Sequence, residues 1–181
     1  MIRFRYKPQF HDPKLPGGLM AIESLQDLLV DHLRDMYHAE KQLVKALPKM
    51  VKAASNGELR TAFEDHLSVT KEQVTRLERV FEELGTPART KRCVGMEGLI
   101  EEGKELLAED AAEVVQDAGL IAAAQKVEHY EISAYGTART WARQLGLDMA
   151  AKLLDQSLEE EVEADETLSG IATNGANQEA E

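Results

Sequence analysis

The sequence predicts an all-α protein, with four long helices packed as a bundle and one extra short helix in the long connection between its halves. Three observations carry this. Aromatics make up only 5% of the 181 residues, and there are just 5 Pro and 12 Gly, too few strand and turn formers for a sandwich or barrel. From residue 24 onward apolar residues recur at three- and four-residue spacing. Helix start and stop signals divide that run into five pieces.

Ser24 with Asp27 reads as a capping box opening the first helix, which runs to about Ala54 with Pro48 as an expected kink. Ser55 with Glu58 reads as a second box, and Gly85 with Pro87 stops that helix. A short third helix covers about Gly95–Ala108. Asp110 and Glu113 open a long fourth helix reaching Leu145, stopped by Gly146. Asp148 is placed to cap the fifth, which ends near Thr173. The four long helices are each roughly 35–50 Å long at 1.5 Å per residue. Two hairpins joined by a long crossover is the plan of ferritin-like bundles, and the short third helix falls in that crossover. Residues 1–19, with Pro8, Pro13, Pro16, Gly17 and Gly18, lack periodicity and read as a loose arm before a single domain spanning 20–173. The polar residues 174–181 read as a frayed tail.

Composition narrows the function. There are 33 acidic and 21 basic residues, for a net charge of −12, so the chain is ill suited to duplex nucleic acid, whose phosphates require a basic patch. A single cysteine, Cys93, leaves no internal disulfide and no cysteine-based zinc site, and points to a reduced, cytoplasmic setting. The longest apolar stretch, Gly119–Ala124, is far short of the ~20 residues a membrane span needs. Arg3, Arg5 and Lys7 have no apolar run behind them, so no signal peptide is expected.

The informative feature is a set of polar breaks in the buried stripes. The first long helix reads Leu29, Leu33, Met36, Glu40, Leu43, Leu47. The second reads Leu59, Phe63, His66, Thr70, Gln73, Leu77, Val80. The third long helix carries Glu128 and Glu131 between Ala124 and Tyr135, and the last carries Glu161 and Asp165 between Leu158 and Leu168. Counted from the turns, Glu40 is level with Gln73, Glu131 with Glu161, and Glu128 with Asp165. His66 falls roughly 9 Å off the Glu40 level. No Lys or Arg lies on these stripes by phase, and in the acidic run 159–163 only Glu161 points inward. Five carboxylates in one layer cannot all stay ionised, since two charges 4 Å apart repel by ~4 kcal/mol at an effective dielectric of 20. Either protons are shared, which raises pKa values, or cations sit there. An oxygen-rich set with one imidazole and no thiolate suits iron or manganese, in one- or two-metal form. The ordinary readings stand alongside. One mid-helix glutamate is usually a hydrogen-bonded core carboxyl, a lone His66 usually a core histidine, and Tyr37, Tyr130 and Tyr135 usually core aromatics.

The segments LIAAAQKVEHYEISAYGT (120–137), CVGMEGLIEE (93–102), the YHAEKQL core of 33–47 and LEEEVEAD (158–165) resemble the YciE/YciF stress-protein family, over about residues 20–173. The resemblance implies a ferritin-like five-helix fold, a homodimer, and induction in bacteria under stress. It implies Glu40 as the first-helix metal ligand, Glu128 and Glu131 from the third bundle helix, and Glu161 and Asp165 from the fourth. The second bundle helix departs from the pattern. It has no Glu-x-x-His, and Ser68 and Val69 stand where relatives tend to carry Glu. Two functions follow as expectations. One is an iron- or manganese-dependent oxidoreductase acting on peroxide or dioxygen, with Tyr130 or Tyr135 gating electrons from an external reductant. The other is a metal-free helical dimer serving as a stress-response scaffold, its polar layer a protonated network. The small residues Ala118, Gly119, Ala122, Ala123 and Ala138 suit either a dimer contact or packing within the chain.

Overall fold

The computed structural model describes residues 22–177 and 180, so the arm expected at 1–19 lies outside the described residues. The described residues form five α-helices: α1 (Leu25–Ala53), α2 (Gly57–Glu83), α3 (Val94–Ala108), α4 (Glu113–Gln144) and α5 (Asp148–Ile171). α1 pairs with α2 and α4 with α5 as hairpins. The hairpins meet through α2 against α5 and α1 against α4, and α3 lies across α4 and α1. This is the ferritin-like four-helix plan with a short helix in its crossover.

Local chemistry explains most boundaries. Ser24 Oγ accepts from Asp27 N at 3.1 Å, capping α1 as the sequence predicts. α1 continues through Pro48 without a break. Gly85 (φ 65°) and Gly146 (φ 71°) each take the left-handed conformation that ends a helix. At the first, Thr86 N donates to Phe81 O and Gly85 N to Glu82 O, both at 3.0 Å. Leu147 N and Gly146 N repeat the arrangement on Ala142 O and Arg143 O.

Three expected caps are corrected. Asn56, not Ser55, caps α2, its Oδ1 accepting from Glu58 N and Leu59 N. Asp110 does not cap α4, which starts after Ala112 with no side-chain cap. Asp148 lies inside the first turn of α5, where its charge suits the helix dipole, rather than capping it. Of the tail read as frayed at 174–181, residues 178, 179 and 181 lie outside the described residues. α5 passes into a π-helical turn at Ala172–Ala176, and Ala176 is buried.

Ser55 is drawn away from capping by Asp117 of α4, a buried carboxylate. Asp117 accepts from Ser55 N (2.9 Å), Ser55 Oγ (2.5 Å) and Asn56 N (2.8 Å), tying the first turn to the second hairpin. Asp117→Ala removes the buried acceptor of all three bonds, a loss of about 3 kcal/mol. We expect the melting temperature to fall by ~10 °C, at 2–4 °C per kcal/mol for a chain of this size. Calorimetry showing no change would contradict the tie.

The core is divided in two. One apolar cluster holds Leu33, Met36, Leu77, Phe81, Ala138 and Leu154. The other holds Leu43, Leu47, Phe63, Ile121, Val127 and Leu168. Between these sets, on each of the four long helices, come the polar residues Glu40, Thr70, Gln73, Glu128, Glu131 and Glu161, all buried. Two of the five small residues singled out by sequence pack inside the chain. Ala138 is fully buried, and a Cβ on Gly119 would lie 2.8 Å from the Leu106 side chain of α3.

Candidate metal centre

The middle of each long helix supplies one part of the layer. His66, Glu128, Glu131 and Glu161 each present one ligand atom, and these atoms all lie within 4.8 Å of one another. His66 Nε2 is 3.6 Å from Glu128 Oε2 and 3.8 Å from Glu161 Oε2. Glu40 sits beside this quartet. Tyr135 O–H donates to its Oε1, and Glu131 lies within proton-sharing reach of it. Gln73 Nε2 donates to Glu161 Oε1 and, at 3.1 Å, to Glu160 Oε2.

The electrostatics follow from burial. Desolvation, and then the charge of neighbouring carboxylates, pushes Glu40, Glu128 and Glu131 well above the usual carboxylate range. Glu161 is raised to about 7, chiefly by desolvation, with Gln73 and Arg76 pulling the other way. Burial pushes His66 down to about 4. The approach of His66 to two carboxyls is therefore not an ion pair at neutral pH. The imidazole is neutral and keeps a lone pair to offer.

The hydrogen bonds do not satisfy the layer. Apart from protons that Glu40 can share with Glu131 and Glu128 with Glu161, the buried atoms Glu40 Oε2, His66 Nε2, Glu128 Oε2, Glu131 Oε2, Glu161 Oε2 and Gln73 Oε1 have no hydrogen-bond partner. Each such atom ordinarily costs about 1–3 kcal/mol. A cation among them would satisfy several at once, and the donor set of carboxylate oxygens with one imidazole fits iron or manganese.

Not every residue singled out by sequence joins. Asp165 is half-buried on the flank of α5. It accepts from Gln125 Nε2 at 3.0 Å and lies 3.5 Å from His129 Nε2, outside the quartet. His66, which counting placed off the level, sits within it. Tyr135 touches the layer through Glu40. Tyr130 instead donates to Asp35 Oδ2 (2.8 Å) and contacts Cys93 Sγ (3.0 Å). Tyr37 donates to Glu78 at 2.6 Å.

Sequence reasoning missed Arg76 and Glu160. Arg76 of α2 grips Glu160 with two bonds (2.6 and 2.7 Å) and also donates to Ser157 Oγ at 2.8 Å. Its charge reaches Glu40 and Glu161, so the layer has a cationic neighbour after all. The spacing of Arg76 three residues after Gln73 is the signal that could have revealed it.

Residues 24–181 match the family described as Domain of unknown function (DUF892). The chain belongs to the DUF892 family. Its relatives include Protein YciF of Escherichia coli K12, 47% identical over 163 residues, which are 90% of this chain and 98% of that protein. The crystal structure of that E. coli stress protein superposes with a TM-score of 0.83 at 46% identity, over 86% of this chain and 99% of the other. YcfI of Rhodopseudomonas palustris gives a TM-score of 0.80 at 43% identity, over 82% and 94%. A Xanthomonas campestris protein at 22% identity shares the fold, with a TM-score of 0.67 over 83% and 92%. The DUF892 membership bears out the resemblance to YciE/YciF proteins. Among the described residues no helix is long and apolar enough to cross a membrane.

Proposed function

We propose that this DUF892 protein binds iron or manganese in its carboxylate layer and uses it for peroxide or dioxygen chemistry under stress. The observation that carries the reading is the set of buried, unpartnered oxygen atoms and one imidazole nitrogen converging from four helices. His66, Glu128, Glu131 and Glu161 would hold the first ion. Adding Glu40 gives four buried carboxylates, whose charge matches two divalent cations. Bound metal would supply the change of valence. The chain's own residues orient the site: Gln73 fixes Glu161, Tyr135 holds Glu40, and the neutral His66 donates its lone pair. Cys93 is the single cysteine, so electrons must come from a separate reductant. The setting we propose is bacterial and cytoplasmic, in line with the E. coli relative described as a stress protein.

A second reading has its own support. Gln73 and Tyr135 already donate into the layer, and the raised carboxyl pKa values allow the remaining protons to be shared. The layer would then be a structural network, and the R. palustris relative carries a provisional description as a structural protein. In both readings we propose a homodimer, checked by sedimentation at twice the chain's 20.1 kDa.

Elemental analysis of protein purified without chelator or His tag, then reloaded anaerobically with Fe(II) or Mn(II), decides between them. One to two equivalents per chain, lost in Glu40→Ala and Glu161→Ala, is the expected result. No metal above background after reloading would overturn the metal reading.

A further inference from the structure

The unpartnered atoms of the layer are out of contact with solvent, so a cation needs a way in. Two grooves differ sharply in what they offer. One, of about 260 Å³, runs between α1, α3 and α4. Its wall is apolar, its charged residues are Lys45, Lys49 and Lys104, and it reaches none of the four clustered ligands. The other, of about 270 Å³, lies between α2 and α5 and has His66 and Glu128 in its wall. Its remaining charged residues are Asp65, Glu160 and Glu163, with no lysine or arginine. The His66 side chain is only 10% exposed and that of Glu128 only 4%, and the unpartnered Nε2 and Oε2 belong to these two residues.

We infer that the α2/α5 groove is the access route for hydrated divalent cations, with Asp65 and Glu163 capturing the ion at the mouth and Glu160 relaying it to His66 and Glu128. This rests on the metal reading proposed above. A cleft of one charge sign concentrates counter-ions and speeds their arrival, more so at low salt. Asp65 and Glu163 are exposed, as capture groups must be. Glu160 is less exposed, at 29%, and is paired with Arg76, which lies outside the groove lining. Ala62 and Ala164 line the same groove, with Phe63 and Leu168. The lysine-edged groove repels the same ions.

Stopped-flow uptake of Co(II) by the chelated full chain tests the route. Asp65→Asn with Glu163→Gln should slow uptake ~10-fold at low ionic strength, with the same final stoichiometry. The difference should shrink below twofold near 0.5 M salt, where screening is short-ranged. Ala164→Leu, which narrows the passage, should slow uptake at every salt concentration, whereas Ala46→Leu in the other groove should not. Unchanged rates in both α2/α5 variants at full stoichiometry, or slowing by Ala46→Leu alone, would overturn the route and leave the metal centre standing. No Co(II) uptake by the unsubstituted protein would overturn the metal reading and the route together.

Discussion

After treatment with a chelator, the protein should melt at a lower temperature at pH 8 than at pH 6. The buried carboxyls cause this. An unfolded glutamate titrates near 4.3, whereas folded Glu161 holds its proton to about 7 and Glu40, Glu128 and Glu131 are raised well above their ordinary value. A group raised on folding gives stability that is complete below its unfolded pKa and is lost as pH climbs through the folded value. At 1.36 kcal/mol per pH unit, Glu161 removes ~1.4 kcal/mol between pH 6 and 8, and each carboxyl still protonated at pH 8 removes more. His66 opposes the trend. Its depressed value disfavours folding as pH falls below 6.5, by ~1 kcal/mol at pH 6. Glu161 alone outweighs His66, and the three more strongly raised carboxyls add to the loss, so stability falls as pH rises. Metal-loaded protein should show the reverse, losing stability on acidification as the ligands take up protons. A chelated protein whose melting temperature is flat or rising from pH 6 to 8 would contradict a protonated layer.

Glu128→Ala should abolish metal loading while the far-UV circular dichroism stays that of the parent. Glu128 sits 3.6 Å from His66 and contributes one of the four converging ligand atoms, so its loss breaks the set rather than loosening it. We expect affinity for Mn(II) to fall by more than ~100-fold, beyond what losing a supporting hydrogen bond costs. Glu128 lies between the two apolar clusters, whose packing on either side is untouched by the change, so the helices should persist. Asp165→Asn is the matched control. Asp165 faces Gln125 and His129, and loading should be retained. Full loading in the alanine variant, or its loss in the Asp165 variant alone, would move the site.

The helices were legible because each has its own periodicity and most stop signals are local. Gly85 and Gly146 stand where left-handed backbone is needed, and their neighbours could be read directly. The caps were less legible because capping is a competition. Ser55 has the right local pattern, but Asp117, 62 residues away, takes its hydroxyl and amide. The carboxylate layer was visible as breaks in apolar stripes. Its membership was not, because side-chain direction decides it. Asp165 shares a face with Glu161 by spacing, yet turns to the α4 flank where Gln125 meets it. His66 is a helical turn or more from the Glu40 level, yet joins because the quartet is built around Glu128 and Glu161 rather than Glu40. Arg76 counted as an outer residue, but its long stem carries the guanidinium to Glu160 at the edge of the layer.

Calorimetric titration of the chelated chain with Mn(II) or anaerobic Fe(II), at pH 6.5 in two buffers of different ionisation enthalpy, tests the central claim most directly. The carboxyls that would bind metal carry protons in the empty layer, so each ion bound must release them. The account predicts saturable binding of one to two ions per chain, with more than one proton released per ion. Absence of a saturable heat, or binding with no proton release, would contradict it.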